Sequence, residues 1–289
     1  MRRVKVPKRA VQPNQGVVRA FAKQIDAMLK AANKDFIKHC LEQYEQITAN
    51  LVQAKDAAMD ASSSIMTRQM SLATAKSIAE AQLYEDDTPD VRKISYTFVR
   101  NLLRHLSASQ RRALEGAGVS KALLKERFSV PVIRGQYIAP STAEKIPDYV
   151  EWSTKLIARL RTRSRLRIQE LLADALEHGK PLSQLQSDIQ KAGHMDSERA
   201  FGVALDQSCK LNNFIQIENC KALGITEGIW VHVPGMYTSR KSHIKMDGQR
   251  FDIIMGMYDP EVGAYIQPGE LPFCHCIYRP VLPDSIMET

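Results

Sequence analysis

The sequence predicts an α+β protein, with a predominantly helical N-terminal two-thirds followed by a small antiparallel sheet. Two observations carry this reading. Apolar residues recur at three- and four-residue steps from Val17 to about Leu223, and after Gly224 the pattern switches to short β-rich runs. Glycine- and proline-rich loops separate those runs, as between short antiparallel strands rather than in a parallel α/β fold. With 44% apolar residues in a chain of 289, a substantial core can be buried. There is no internal repeat.

Residues 1–16 read as a basic flexible tail. Arg2, Arg3, Lys5, Lys8 and Arg9 have no acidic residue among them, and Val4, Val6, Pro7 and Pro13 form no helical stripe. Residues 17–128 read as a helical domain. Phe21, Ile25, Met28, Ala32 and Phe36 open a stripe that Leu41, Tyr44, Ile47 and Leu51 continue, and no proline or glycine interrupts it before about Tyr84. Asp87 or Thr88 then caps a helix with Pro89 in its first turn, running to about Leu106 through Ile94, Phe98 and Leu102. Ser107 starts a further short helix on a capping-box spacing, and Gly116 and Gly118 punctuate it before one more turn at Ala122 to Glu126.

Residues 129–148 read as a linker. Val130, Val132 and Ile133 suit a short strand, while Pro131, Gly135, Pro140 and Pro147 oppose long regular structure. A C-terminal domain follows over 149–289. Its first helix runs from about Pro147 to Glu177, with Ile157, Leu160, Ile168, Leu171 and Ala175 on one stripe. Helical periodicity puts Arg159, Arg163 and Arg167 on one flank of that stripe, and Arg161 and Arg165 on the other. These arginines are either a solvated rim whose aliphatic stems cover the core or a surface for phosphates or a partner protein. Gly179 to Gly193 brackets a short helix, and another runs from about Asp196 to Leu223, where Gly224 supplies a left-handed cap. Strands are expected near 228–233, 250–255 and 274–281.

Within this domain an ordered set of residues resembles a known family. Asp206-Gln207 precedes Lys210-Leu211-Asn212 and Gly224-Ile225; then come Trp230, Arg240-x-x-His243, Met246-Asp247-Gly248 and Phe251; Pro268-Gly269-Glu270, Cys274-x-Cys276 and Pro280 close the block. Each element is weak alone. Together, in this order, they resemble the bacteriophage Mu F-like head morphogenesis family of minor head proteins. The resemblance covers 149–282 with its preceding helices, and the N-terminal half carries none. It implies a non-enzymatic virion protein associated with the phage portal protein and with the major capsid or scaffold protein. Such a protein acts in head assembly and in DNA packaging or ejection, in the phage head and, during assembly, in the host cytoplasm. Two positions depart from the family pattern: Thr238 and His275 stand where arginine is frequent.

The residues of the block admit three readings. In the first, Arg240, His243, Asp247, Gly248, Cys274 and Cys276 form a structural clasp that pins a long loop onto the sheet, its buried polar groups satisfying one another. In the second, His243, Cys274 and Cys276, with Asp247 or His275 as the fourth ligand, hold a structural zinc ion, although one residue between the cysteines is fewer than the about two to four of zinc ribbons. In the third, His243 and Asp247, with Arg240 near, serve a metal-dependent nucleic-acid hydrolase, but no paired carboxylates and no phosphate loop accompany them. The clasp is the preferred reading, and no other cofactor is expected. Strand alternation places Cys274 and Cys276 on one face and His275 on the other.

Composition narrows the partners. A net charge of +8 suits nucleic acid or an acidic protein surface. Arg2, Arg3, Lys5, Lys8 and Arg9, with Arg159, Arg163 and Arg167, are the residues expected to meet packaged double-stranded DNA or a protein partner, without base preference. No apolar segment of secretory-signal type follows the charged N-terminus, and no run approaches the roughly 20 apolar residues of a membrane span, so no membrane partner is expected. Five cysteines, an odd and scattered set, fit a reducing compartment rather than a disulfide framework.

Overall fold

The structure is a computed structural model that describes residues 5–57, 89–133, 136–234 and 239–287. Arg2, Arg3, the stripe towards Tyr84, the cap at Asp87 or Thr88, Gly135 and Thr238 lie outside the described residues.

Long helices dominate the first part of the chain: α1 (Gln15–Ala57), α2 (Pro89–Gly116), α3 (Lys121–Arg127), α4 (Pro140–Glu144), α5 (Ile146–His178) and α6 (Leu182–Ala222). β1 (Val130–Ile133) and β2 (Gln136–Ile138) pair as an antiparallel hairpin inside the segment read as a linker. After α6 come β3 (Glu227–Val231), α7 (Lys241–Met246), β4 (Arg250–Asp252), β5 (Met257–Asp259), β6 (Ala264–Ile266) and β7 (Ile277–Pro280). β3 is central and antiparallel to both β4 and β7, while β5 and β6 form a separate hairpin. The expected α+β class, helices first and small antiparallel sheets near the C-terminus, is the one that forms.

Two expected helix breaks do not occur. Ser107 lies inside α2, where its hydroxyl bonds back to Arg104 O instead of capping a new helix. Gly193 lies inside α6, which runs unbroken through it. A glycine costs a helix only about 1 kcal/mol, and burial of Ile189, Ala192 and Ala200 on either side outweighs that.

The chain divides into two compact units, each discontinuous in sequence, whereas the linear reading drew boundaries at 16, 128 and 148. One comprises Lys23–Lys93 and Thr154–Ala200. Its core interdigitates Phe36 and Tyr44 of α1, Ile168 and Leu172 of α5, and Leu185 and Ile189 of α6. A polar chain crosses it: Asn33 Nδ2 donates to Ser164 Oγ at 2.6 Å, and Ser164 Oγ donates to Asp196. The two flanks of α5 differ as periodicity demands. Arg161 is buried, and Arg165 lies 5.7 Å from the Phe36 ring centre and donates to Ala32 O. Arg159 and Arg163 are exposed, and Arg167 stands 3.9 Å from Asp196.

The other unit comprises Met1–Ala22, Ile94–Ser153 and Phe201–Thr289. Its C-terminal core gathers Trp230, Phe251 and Tyr278 from the three-stranded sheet with Leu114, Leu124, Ile217 and Ile225. α6 ends in a Schellman cap: Ile225 N–H reaches Cys220 O, Gly224 N–H reaches Lys221 O, and Gly224 takes φ +72°. That turn aims the chain into β3, where Gly228 leaves room for the Tyr278 and Phe251 rings. Residues 5–14, expected as a free tail, lie extended along this unit. Lys5 bridges Leu282, Val11 O accepts from Asn212 and Gln216, and Pro7 and Pro13 are buried. The buried prolines and the paired carbonyls supply the holding interactions that the charge pattern concealed.

Candidate functional site

α7 is a single short turn with one buried face made of Ser242, His243 and Met246. His243 enters the core edge-on to Trp230, with ring centres 5.5 Å apart. Its two ring nitrogens face different chemistry. Nδ1 lies 3.3 Å from Cys274 Sγ and 3.6 Å from Cys276 Sγ. Nε2 lies 3.3 Å from Asp259 Oδ2. Asp259 is fully buried at the end of β5, where its Oδ2 accepts from Ser242 Oγ at 3.1 Å and its Oδ1 from Glu261 N at 2.9 Å. Glu261 in turn accepts from Ser242 N, so β5 and α7 are tied at both residues.

The cysteine segment is positioned from α6. Asp206 Oδ1 accepts from Phe273 N at 2.7 Å, and Asn213 Nδ2 donates to Pro268 O at 2.9 Å and Cys276 O at 2.8 Å. Gly269, at φ +77°, is required beside Asn213, because a Cβ there would collide with the amide nitrogen. Phe273 adopts φ +56°, the sole non-glycine residue at positive φ among the described residues, and it turns the chain immediately before Cys274. Arg240, just ahead of α7, donates to Pro272 O at 3.1 Å.

His232 follows β3 and reaches the same group, its Nδ1 3.5 Å from Cys276 Sγ. A cavity of about 300 Å³ opens on these residues, lined by His232, Arg240, His243, Phe273, Cys274 and Cys276 among others. The electrostatics are those of one shared negative charge. The Cys276 thiol bonding to Cys274 holds the Cys274 thiol well below its usual range, helped by His243 and opposed by burial. The same pairing, reinforced by burial, pushes Cys276 well up. Burial works against charge on His243, but Cys274 and Asp259 outweigh it and raise its pKa. Burial lowers His275.

His243, Cys274 and Cys276 therefore meet, with Arg240 at the edge through Pro272. Their ligand atoms lie within 4.8 Å of one another, and Asp247 is not in that group. Its carboxylate instead accepts from His232 N at 2.8 Å, and Gly248, at φ +75°, bonds to Trp230 O. The carboxylate beside His243 is Asp259. A separation of four residues would align 243 and 247 only on a continuing helix, and α7 stops at Met246. The cysteines precede β7 rather than lie within it. Of the basic residues, Lys8 and Arg9 line a second cavity beside Trp230, Asp247 and Gly248, and Lys5 is exposed. Sequence reasoning missed Asp259, Ser242, His232 and Asn213. The Asp259-Pro260 pair was a turn signal that could have marked the first of these.

Residues 166–279 match the family model described as Phage Mu protein F like protein. An uncharacterized protein of Haemophilus influenzae is 26% identical over 147 residues, covering 51% of this chain and 32% of that protein. The uncharacterized protein YqbB of Bacillus subtilis is 23% identical over 151 residues, covering 47% of this chain and 48% of that one. The chain thus spans about a third to a half of the length of these relatives. No solved structure matches it significantly. No helix among the described residues is long and apolar enough to cross a membrane.

Proposed function

We propose, from the premise that residues 166–279 form a Phage Mu protein F like domain, that this chain is a minor head protein of a tailed phage. It serves head morphogenesis as a structural component, associated with the portal protein and the major capsid or scaffold protein in the virion, and acts in DNA packaging or ejection. The observation that carries this reading is the family match. The site geometry supports a structural role for the block, because its polar groups hold loop, hairpin and helix to one another. The hydrolase alternative rested on His243 and Asp247. Asp247 is engaged with the backbone of His232, and Asp259 is enclosed by Ser242 and Glu261, which favours the structural reading.

Packaged double-stranded DNA is part of the proposal. Lys5, Lys8 and Arg9 are exposed, as are Arg159 and Arg163 on α5, and such residues bind phosphates without reading bases. Co-expression with portal and capsid proteins, followed by affinity capture and mass spectrometry, tests the main reading. The chain should travel with portal oligomers and proheads; absence from both refutes it. For DNA, neutralising Lys5, Lys8 and Arg9 to glutamine is preferable to truncation, because residues 5–14 carry hydrogen bonds of the fold. The salt dependence of binding should flatten by about 0.9 log units per log salt for each phosphate that is no longer neutralised. An unchanged slope refutes the DNA part.

A further inference from the structure

We propose that His243, Cys274 and Cys276 bind a zinc ion, with His232 as the fourth ligand. Tetrahedral zinc with sulfur at about 2.3 Å and nitrogen at about 2.0 Å places each nitrogen about 3.5 Å from each sulfur. Three of the four nitrogen–sulfur separations are near this value, at 3.3, 3.6 and 3.5 Å, while His232 stands outside the group of three whose ligand atoms all lie within 4.8 Å of one another.

Hydrogen-bond chemistry points the same way. A neutral imidazole Nδ1 has one lone pair and accepts one S–H, yet two sulfurs approach it. A shared cation uses that lone pair and both sulfurs at once. The opposite ring nitrogen faces Asp259 Oδ2, and Asp259 is fixed by Ser242 Oγ and Glu261 N. A buried carboxylate behind a histidine fixes the proton on Nε2 and leaves Nδ1 bare, which is how metal-binding histidines are oriented. His243 Nε2 makes no well-directed hydrogen bond despite its proximity to Asp259. Metal binding, by drawing the ring into line, gives it one.

The fourth position follows by elimination among the neighbours. Asp247 is committed to His232 N, whereas His232 Nδ1 approaches Cys276 Sγ at 3.5 Å. His232 is half-buried at the mouth of the cavity and joins through Cys276. The proposal requires its side chain to turn inward on binding, because its Nδ1 is near Cys276 but not near all three other ligand atoms. The single residue between the cysteines is no obstacle, because this is not a knuckle: the ligands arrive from the end of β3, from α7 and from the run before β7. An ion there ties α7 to the paired ends of β3 and β7, and binding energy of this kind is folding energy. The inference stands independently of the head-protein reading.

The test uses the full chain, purified under reducing conditions without chelator. Elemental analysis should find about one zinc per chain. Metal-free protein titrated with cobalt(II) should give the visible bands of a tetrahedral site and the sulfur-to-cobalt charge-transfer band of two thiolates. Cys276→Ser should roughly halve the charge-transfer band, and Cys274→Ser likewise. Should those variants fail to fold, two milder ones decide. His232→Ala should weaken zinc binding at least tenfold, and Asp259→Asn by about 10- to 100-fold, with the two-thiolate band retained in both. Wild-type protein without stoichiometric zinc and without a cobalt spectrum overturns the proposal. So does Cys274 that reacts rapidly with iodoacetamide whether or not zinc is added, an outcome that marks a thiolate nucleophile paired with His243 instead.

Discussion

Replacing Asn213 with alanine cuts the tie between α6 and both ends of the loop that delivers the cysteines. The Asn213 side chain is buried, and its two amide protons are both spent, one on Pro268 O and one on Cys276 O. Alanine leaves two buried carbonyls without a donor, at about 1–3 kcal/mol each. Part of that loss is offset, because Asn213 Oδ1 has no partner and its removal relieves about 1 kcal/mol of unmet desolvation. The net expectation is a loss of about 1–5 kcal/mol. Asn213→Asp should be at least as damaging, since a carboxylate would present oxygens to two carbonyl oxygens. Urea unfolding followed by tryptophan fluorescence measures the effect, because Trp152 and Trp230 both belong to the unit that holds the loop. The midpoint should fall with the slope unchanged. A loss below about 0.5 kcal/mol, or an aspartate variant equal to wild type, would show that Asn213 does not clamp this loop.

Two further expectations concern titratable groups. Burial pushes Cys40 up to about 11 and Cys209 and Cys220 up to about 12, so these thiols should resist iodoacetamide in native protein at pH 8 and react once it is unfolded; peptide mass spectrometry reads this, and rapid native labelling of any of the three contradicts it. Burial opposes ionisation of Asp26, but hydrogen bonds from Lys30 and Ser197 outweigh it and lower its pKa, so Asp26 stabilises the fold at neutral pH and loses that contribution as pH falls below its unfolded value of about 4. Asp26→Asn should therefore be less stable than wild type at pH 7, with the gap narrowing as pH falls below about 4; a gap that stays the same from pH 7 to pH 3 refutes the assignment.

The class of the fold was legible because Gly224 marks a physical change, from 3.6-residue to two-residue periodicity, and a Schellman cap forms at that glycine. The positions of Ser107 and Gly193 misled for the same reason as each other. Local signals for a helix start or stop are weak beside the burial of a long apolar stripe, and the stripe won. In the site, the ordered set from Asp206 to Cys276 marked the right elements. It could not say which carboxylate stands behind His243. Asp247 was near in sequence, but α7 ends before it, and the β5–β6 hairpin brings Asp259 from 16 residues away to the ring. Non-local pairing of that kind leaves no periodic trace. His232 was invisible for the same reason, since its relation to Cys276 depends on β3 and β7 being neighbours.

The discontinuity of the two units has a consequence for the order in which a nascent chain can fold. Everything in the unit built from Lys23–Lys93 and Thr154–Ala200 has left the ribosome's decoding site once residue 200 is added. The other unit joins residues far apart in the sequence. Val11 O waits for Asn212 and Gln216, and Lys5 O waits for the amide of Leu282. At about 5–20 residues per second, the first of these waits lasts on the order of 10–40 s and the second on the order of 15–55 s. Throughout that interval the basic segment 5–14, with Pro7 and Val11 uncovered, is open to whatever binds a cationic, extended peptide. The Leu282 amide thus secures Lys5 O only after β3 and β7 have both been made.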